Sequence, residues 1–291
     1  MKGFKVTIAI FLLLTAPLLW LGLRAQPKKK IPFSVEAISS NTSFDPEWVC
    51  RPQTAEEEQE TSAALSQPYY YLGGGGQCYA FVSKDNRYVI KFFKQKAFAV
   101  KGFSSSKRMK KKEEKRGKVF TAFKLSFDHL PKETGLLYVH LNKTSHLNKE
   151  LSFCDAKGHS HLLNLDGLEF ALQKKAELSF ARIDALMGCG DIEGAKLAID
   201  KLLELNSTLY HRGYHNRDPN IRSNCGFIHG EAMLIDVGRV VYSGEAKSAE
   251  VMKRELLKAL PRFQKYLAAN HPELLSYFNQ VTTPFEASLQ K

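Results

Sequence analysis

Hydrophobic and polar positions change texture several times along the chain. Val6–Leu23, "VTIAIFLLLTAPLLWLGL", is apolar and uncharged. Residues 31–67 show no sustained period and carry prolines, "SSNTS" and "EEEQE", the pattern of a linker or loosely packed arm. From Tyr69 the pattern turns strand-like: "YYYL", "CYAFVS" and "RYVIKFF", with an Asp-Asn turn before the last. Phe120, Phe123, Phe127 and Leu130 then recur at three and four, which predicts an amphipathic helix ended by Pro131. Short apolar runs follow ("GLLYVHL", "LSFC", "HLLNL", "EFALQKK"), with "DAKGHS" as a turn. A second helix opens at Asp191, a good N-cap, presents Ile192, Ala195, Ile199, Leu202 and Leu209 on one face, and ends at Gly213. Beyond it come "CGFIHGEAMLI" as a strand pair and, from Ala246, a mostly helical stretch punctuated by Pro261 and Pro272. A strand-rich half followed by a helical half predicts an α+β fold in two lobes, residues 68–176 and 177–291.

Composition narrows the classes. At 44% hydrophobic residues, 291 residues can build a substantial core, and 19 glycines and 11 prolines exclude collagen-like and low-complexity chains. The formal net charge of +12 favours an anionic partner, whether nucleic acid, an acidic lipid surface or a phosphorylated ligand such as a nucleotide, and leaves a protein partner open. No module with interleaved basic and aromatic residues points to nucleic acid. Five scattered cysteines without a CxxC pair suggest a reducing compartment.

The apolar run predicts a single-pass membrane protein. Its length approaches that of a membrane-spanning helix, and "LGLRAQ", with Arg24 inside it, is a poor signal-peptide cleavage site. Arg24, Lys28, Lys29 and Lys30 outnumber Lys2 and Lys5, which places the globular part in the cytoplasm. The expected layout is a tail at 1–5, an anchor at 6–23 and a linker at 24–67. The basic run "KRMKKKEEKRGK" could meet acidic lipids, though such runs are more often the solvated start of a helix.

Candidate chemistry lies in four separated segments. Phosphoryl transfer from ATP needs a pliant backbone over the phosphates, a lysine to neutralise them, oxygen ligands for Mg²⁺ and a carboxylate near the acceptor. "LGGGGQC" offers Gly73, Gly75 and Gly76; "YVIK" offers Lys91; "NRDPNIRSN" offers Asp218 and Asn224; "IDVG" offers Asp236. These segments resemble, in order, the glycine-rich loop, the V-A-I-K strand, the H-R-D-x-x-x-x-N loop and the D-F-G segment of protein kinases. Asp218 and Asp236 lie 18 residues apart, the usual interval in that family. The resemblance implies a two-lobed kinase-like fold using ATP and Mg²⁺. Lys91 would hold the phosphates and Glu113 (or Glu114) would orient it from the helix. Asp218 would serve the acceptor, and Asp236 and Asn224 would hold the metal. The phrasing "QCYAFV", "FFKQ" and "ETGLLYVHLNKT" also resembles a family of membrane-anchored proteins of chlamydia-like bacteria, which implies no activity.

The match has departures. Cys78 stands where a third glycine is usual, Asn216 where the loop histidine is usual, with His215 one place early. Ser223 occupies the asparagine position, Asn224 comes one residue late, and Pro219 stiffens the loop. No A-P-E follows Gly238, so the C-lobe is expected to be truncated, with about three short helices after that glycine. These features favour a compact phosphotransferase over a polypeptide kinase, and leave a catalytically inactive, pseudokinase-like binding module as the alternative. Cys154, His159 and His161 cluster on one turn without a fourth metal ligand, and His211, His215 and His229 read as capping or packing residues.

Overall fold

The computed structural model describes residues 32–95 and 106–286. Chain order begins with two helices, α1 (Val35–Ile38) and α2 (Ala55–Ala64), then strands β1 (Tyr69–Gly74), β2 (Cys78–Ser83) and β3 (Tyr88–Phe93). Helices α3 (Ser106–His129) and α4 (Pro131–Thr134) precede β4 (Leu136–His140), β5 (Glu150–Cys154), β6 (Ser160–Asn164), β7 (Phe170–Lys174) and β8 (Glu177–Leu178). The second half runs α5 (Ser179–Gly188), α6 (Ile192–His211), β9 (Tyr214–Asn216), α7 (Ile221–Asn224), β10 (Cys225–Ile228), β11 (Glu231–Leu234) and β12 (Val240–Tyr242). It closes with α8 (Ala249–Asn270) and α9 (Leu275–Glu286).

Seven strands form one sheet in the order β4-β7-β3-β2-β1-β5-β6. Its pairs are antiparallel except β1 with β5. Strand alternation sorts β3 into two faces. Tyr88, Ile90 and Phe92 join a cluster with Tyr69, Phe81, Phe153 and Phe170 on one side. Phe93 joins Phe120 and Phe123 of α3 on the other, with ring centroids 5.0 and 4.9 Å away. Lys91 shares the period of Phe93 and so points to the α3 side. The cluster under α3 continues without a break into Ile199 and Leu202 of α6, Phe263 and Leu267 of α8 and Phe278 of α9. One core therefore joins the strand-rich and helical halves. Asp191 caps α6 as expected, accepting from the Gly194 N–H at 2.8 Å.

Three expectations need correction. Residues 33–67 are no loose arm: Ala37, Ile38, Trp48, Ala64 and Leu65 are buried. A capping box between Thr54 and Glu57 starts α2, and the Arg51 guanidinium donates to both Glu57 oxygens at 2.7 and 2.6 Å. Each short element contributes only one or two apolar residues, so no period shows in the sequence. Secondly, the described residues after Gly238 form α-helices of 22 and 12 residues, each preceded by a short 3-10 turn, rather than three short helices. Pro261 lies inside α8 because burial of Leu260, Phe263 and Leu267 around it outweighs one lost backbone bond. Lastly, no helix among the described residues is long and apolar enough to cross a membrane, so the single-pass localisation expected from the sequence is not supported. The run Val6–Leu23 that suggested it lies outside the described residues.

Candidate functional site

The glycine run ends β1 and turns the chain into β2. A bulge between Tyr71 and Gly73 shifts the register, Gly74 still pairs with Tyr79, and the Gly75 N–H donates to the Cys78 carbonyl at 3.0 Å. Lys94 braces the turn from β3's end: its ammonium donates to the Gly75 carbonyl at 2.6 Å and sits 4.1 Å from the Tyr79 ring centre. None of the four glycines adopts the left-handed backbone that glycine alone tolerates. Only at Gly74 would a Cβ be crowded, by Tyr71 and Tyr79 at 3.1 and 3.2 Å. At Gly73, Gly75 and Gly76 it would meet nothing within 4 Å. The fold itself therefore gives no steric reason for glycine at 75 and 76.

Beneath this turn lies a cleft of about 300 Å³. Gly75, Gly76, Lys91, Asp218, Asn224 and Asp236 all line it, whereas Gly73 stays within β1. The Lys91 ammonium donates to the Gln173 Oε1 at 2.6 Å and to the Ile235 carbonyl. Burial pushes the lysine's pKa down, and the nearby Asp236 carboxylate pulls it back up. Both direct acceptors are neutral, so the positive charge is held without a carboxylate in contact.

Glu113 does not orient Lys91. It is exposed on α3, as is Glu114, and flanks a separate hollow with Asp45, Glu47 and Lys110. From Lys110 to Lys118 no residue of α3 is buried, so the turn carrying Glu113 leaves the core although it shares the phase of Phe120. Gln173, 2% exposed, takes the place beside the lysine. Its amide also donates to the Thr134 and Leu234 carbonyls at 2.6 and 3.2 Å, tying β7 to the end of α4 and to β11. Only its place in an apolar strand, two residues past Ala171, hinted at this role.

The catalytic-loop segment is assembled by amides. Asn216, in the position expected for histidine, accepts from the Asp218 N–H at 3.0 Å and donates to the Asp236 carbonyl at 2.9 Å. An amide can do both at once because it carries donor and acceptor on one rigid plane. Asn224 is 4% exposed and donates to the Asp218 carbonyl at 2.8 Å. Its own carbonyl accepts from the Ile235 N–H at 2.7 Å. The single turn of α7 absorbs the extra residue before Asn224, so Ser223 and Asn224 both reach the cleft. Asp236 is exposed, with one oxygen accepting from the Gly238 N–H at 3.2 Å. Arg239 stands 3.9 Å from the Asp218 carboxylate.

A side chain missed in the sequence closes the cleft. Gln77 reaches from the glycine turn to donate to the Gly238 carbonyl at 3.1 Å. A Cβ on residue 238 would lie 1.8 Å from the Gln77 Oε1, so a side chain there would push the Gln77 amide out of this contact. Cys78 lines the same wall, and burial drives its thiol pKa up to about 12, which keeps it protonated and inert. His159 and His161 instead bond the Asp155 carboxylate at 3.3 and 3.1 Å.

The donor set suits magnesium. Mg²⁺ keeps several waters and takes one or two carboxylates plus substrate phosphates. Asp236 offers an exposed carboxylate, and Asn224 offers an amide oxygen that accepts one bond, from the Ser223 hydroxyl at 2.8 Å.

No family model matches the chain, and no curated protein is similar to it. Among solved structures it is similar to monomeric WbdD at 15% identity, covering 72% of this chain and 44% of that one with a TM-score of 0.37. WbdD is a bifunctional kinase-methyltransferase. It is also similar to the ROP18 kinase domain in complex with AMP-PNP and sucrose (12% identity, 60% of this chain, 51% of that one, TM-score 0.35). A third similarity is to Rv3197 of Mycobacterium tuberculosis bound to erythromycin (12%, 74%, 55%, TM-score 0.35). The chain thus spans between two fifths and just over half of these structures. Superpositions this partial leave the chain's own topology and cleft as the ground for its function.

Proposed function

We propose that the chain is a kinase-like phosphotransferase that binds ATP with Mg²⁺ in the cleft between its strand-rich and helical halves. One observation carries this: Lys91, Asp218, Asn224 and Asp236, from distant segments, line one cleft under two glycines that the fold itself does not require. Open backbone at Gly75 and Gly76 suits close approach of phosphate oxygens. Lys91 neutralises those oxygens. Asp236 and Asn224 would hold the magnesium ion, which when bound supplies charge neutralisation to the phosphates. Asp218 orients an acceptor hydroxyl and takes its proton as the bond from that oxygen to the terminal phosphorus forms and the bond to the leaving diphosphate breaks.

A specific observation favours a second function, a binding module without catalysis. Lys91 rests on neutral acceptors while Glu113 faces solvent, so no carboxylate from α3 orients the lysine. Asp236→Asn separates the two, since it removes a charged metal ligand at nearly constant volume. For the phosphotransferase, saturating ATP with Mg²⁺ at about a hundredfold over Kd adds about 2.7 kcal/mol to wild-type stability. The variant loses the Mg²⁺-dependent part of that gain, and turnover falls by roughly a hundredfold or more. If ATP stabilises both proteins equally, with and without Mg²⁺, the metal role of Asp236 is wrong and the binding module stands. No stabilisation of either protein by nucleotide removes the phosphotransferase and leaves a module that binds a partner without nucleotide.

A further inference from the structure

A second cavity, of about 430 Å³, lies beside the catalytic-loop segment and is larger than the cleft. Asn220, Ile221 and Arg222 form one wall, immediately after Asp218 and Pro219. The opposite wall is a face of α8, whose residues Ala259, Arg262, Phe263, Tyr266 and Ala269 recur at three and four. Phe180 of α5 completes it, stacked on Tyr266 with centroids 3.8 Å apart and planes 17° from parallel.

Charge sets this cavity apart. Its lining carries Arg222, Arg262 and Lys265 and no carboxylate. Other hollows among the described residues mix signs: Lys91 and Arg239 share the cleft with Asp218 and Asp236, and Arg217 and Arg254 share one near β12 with Glu245 and Glu255. Among the described residues the three cations form no ion pair, and only Arg222 has a ring contact, 5.8 Å from Phe180. The Asp184 carboxylate feels the charge of Arg222 but already accepts from the Tyr266 hydroxyl and, at 2.7 Å, from His271. All three cations are exposed, and together on one lining they give the cavity a positive potential that attracts an anion. A planar aromatic wall beside them suits a ring or similar apolar body.

We propose that this cavity binds a small organic anion, a phosphate or carboxylate carried on a ring-sized apolar body. Arg222, Arg262 and Lys265 take the anion, and the Phe180–Tyr266 stack takes the apolar part. Because α7 presents Arg222 here and Ser223 and Asn224 to the cleft, the occupant sits one residue away from the catalytic-loop machinery. Its binding needs no nucleotide in the cleft.

Thermal unfolding of the full chain with phenyl phosphate, inorganic phosphate or phenol tests this. Phenyl phosphate is expected to stabilise saturably, inorganic phosphate more weakly, and phenol not at all. Arg222→Gln and Arg262→Gln each change an exposed side chain, so the variants fold, and each weakens phenyl phosphate binding by roughly tenfold. Lys91→Gln leaves it unchanged, which separates this cavity from the nucleotide cleft. Loss of the response in Lys91→Gln, wild-type affinity in both arginine variants, equal stabilisation by inorganic and phenyl phosphate, or no saturable response overturns the assignment.

Discussion

Gln173 shows how much rests on one neutral side chain. Its oxygen accepts from Lys91 while its amide satisfies two backbone carbonyls from different parts of the chain. Truncation to alanine takes the side-chain donor from both carbonyls, one of them on the buried Leu234, and leaves the ammonium with the Ile235 carbonyl as its one acceptor of the two. Gln173→Ala should cost about 1–3 kcal/mol in urea unfolding, and should lower nucleotide affinity by releasing Lys91. His140 supplies a pH dependence. It is 4% exposed, with Nδ1 bonded to the Leu168 carbonyl at 2.7 Å. Burial holds its pKa below the ordinary 6.5, against the pull of the Leu168 bond and the Asp166 charge. Between the folded value and 6.5 the unfolded chain binds more protons, so stability falls as the pH drops through that window. Urea midpoints measured from about pH 7.5 down to 5 should decline, and His140→Asn should flatten the decline.

At the scale of the element, the glycine turn separates packing from binding. A side chain at Gly74 collides with Tyr71, Tyr79 and the Lys94 ammonium, at 3.1 to 3.3 Å, whereas one at Gly75 meets open space. Gly74→Val should therefore destabilise the β1–β2 hairpin by about 1–3 kcal/mol. Gly75→Val should unfold at the wild-type midpoint and lose nucleotide affinity, because its branched side chain occupies the phosphate side of the turn. Equal nucleotide affinity in Gly75→Val and wild type would reduce the four glycines to a turn. Elements with strong local signatures were legible in the sequence: the β1–β3 strands, the Phe120–Phe127 stripe of α3, the Asp191 cap. So was the meeting of Lys91, Asp218, Asn224 and Asp236 in one cleft, because the order of strand, loop and hairpin that carries them is visible along the chain. Glu113 was not, because phase on a helix says which way a residue points but not where along the helix the core begins. Gln77, Gln173 and Asn216 were not, because a neutral amide acquires its role only from the carbonyls and amides that folding brings to it.

The whole molecule depends on the segment that lacks any period. Ile38 packs in the aromatic cluster on one face of the sheet and Trp48 against Phe120 on the other, with ring centroids 5.5 Å apart, while Leu65 closes the run before β1. Phe33 meets Tyr79, Phe81 and Phe153 edge-on at 5.2 to 5.5 Å. Burying each such side chain is worth about 1.5–3 kcal/mol, and a domain's whole stability is about 5–15 kcal/mol. Removing these four side chains thus takes away an amount comparable to the total. A chain beginning at Phe33 retains all of them, together with the Arg51–Glu57 pair and the Ser40–Glu169 bond of 2.6 Å that fastens the segment to the strand-rich half. A chain beginning at Pro68, where the strand pattern starts, keeps every candidate catalytic residue and none of that support. The first should melt cooperatively at the temperature of the corresponding region in the full chain and respond to nucleotide in the same way. The second should bind a hydrophobic dye, lose its cooperative transition and fail to bind nucleotide despite an intact Lys91, Asp218 and Asp236. Cooperative melting of the shorter chain at an unchanged midpoint would show that residues 33–67 are an accessory to the cleft and not part of its frame.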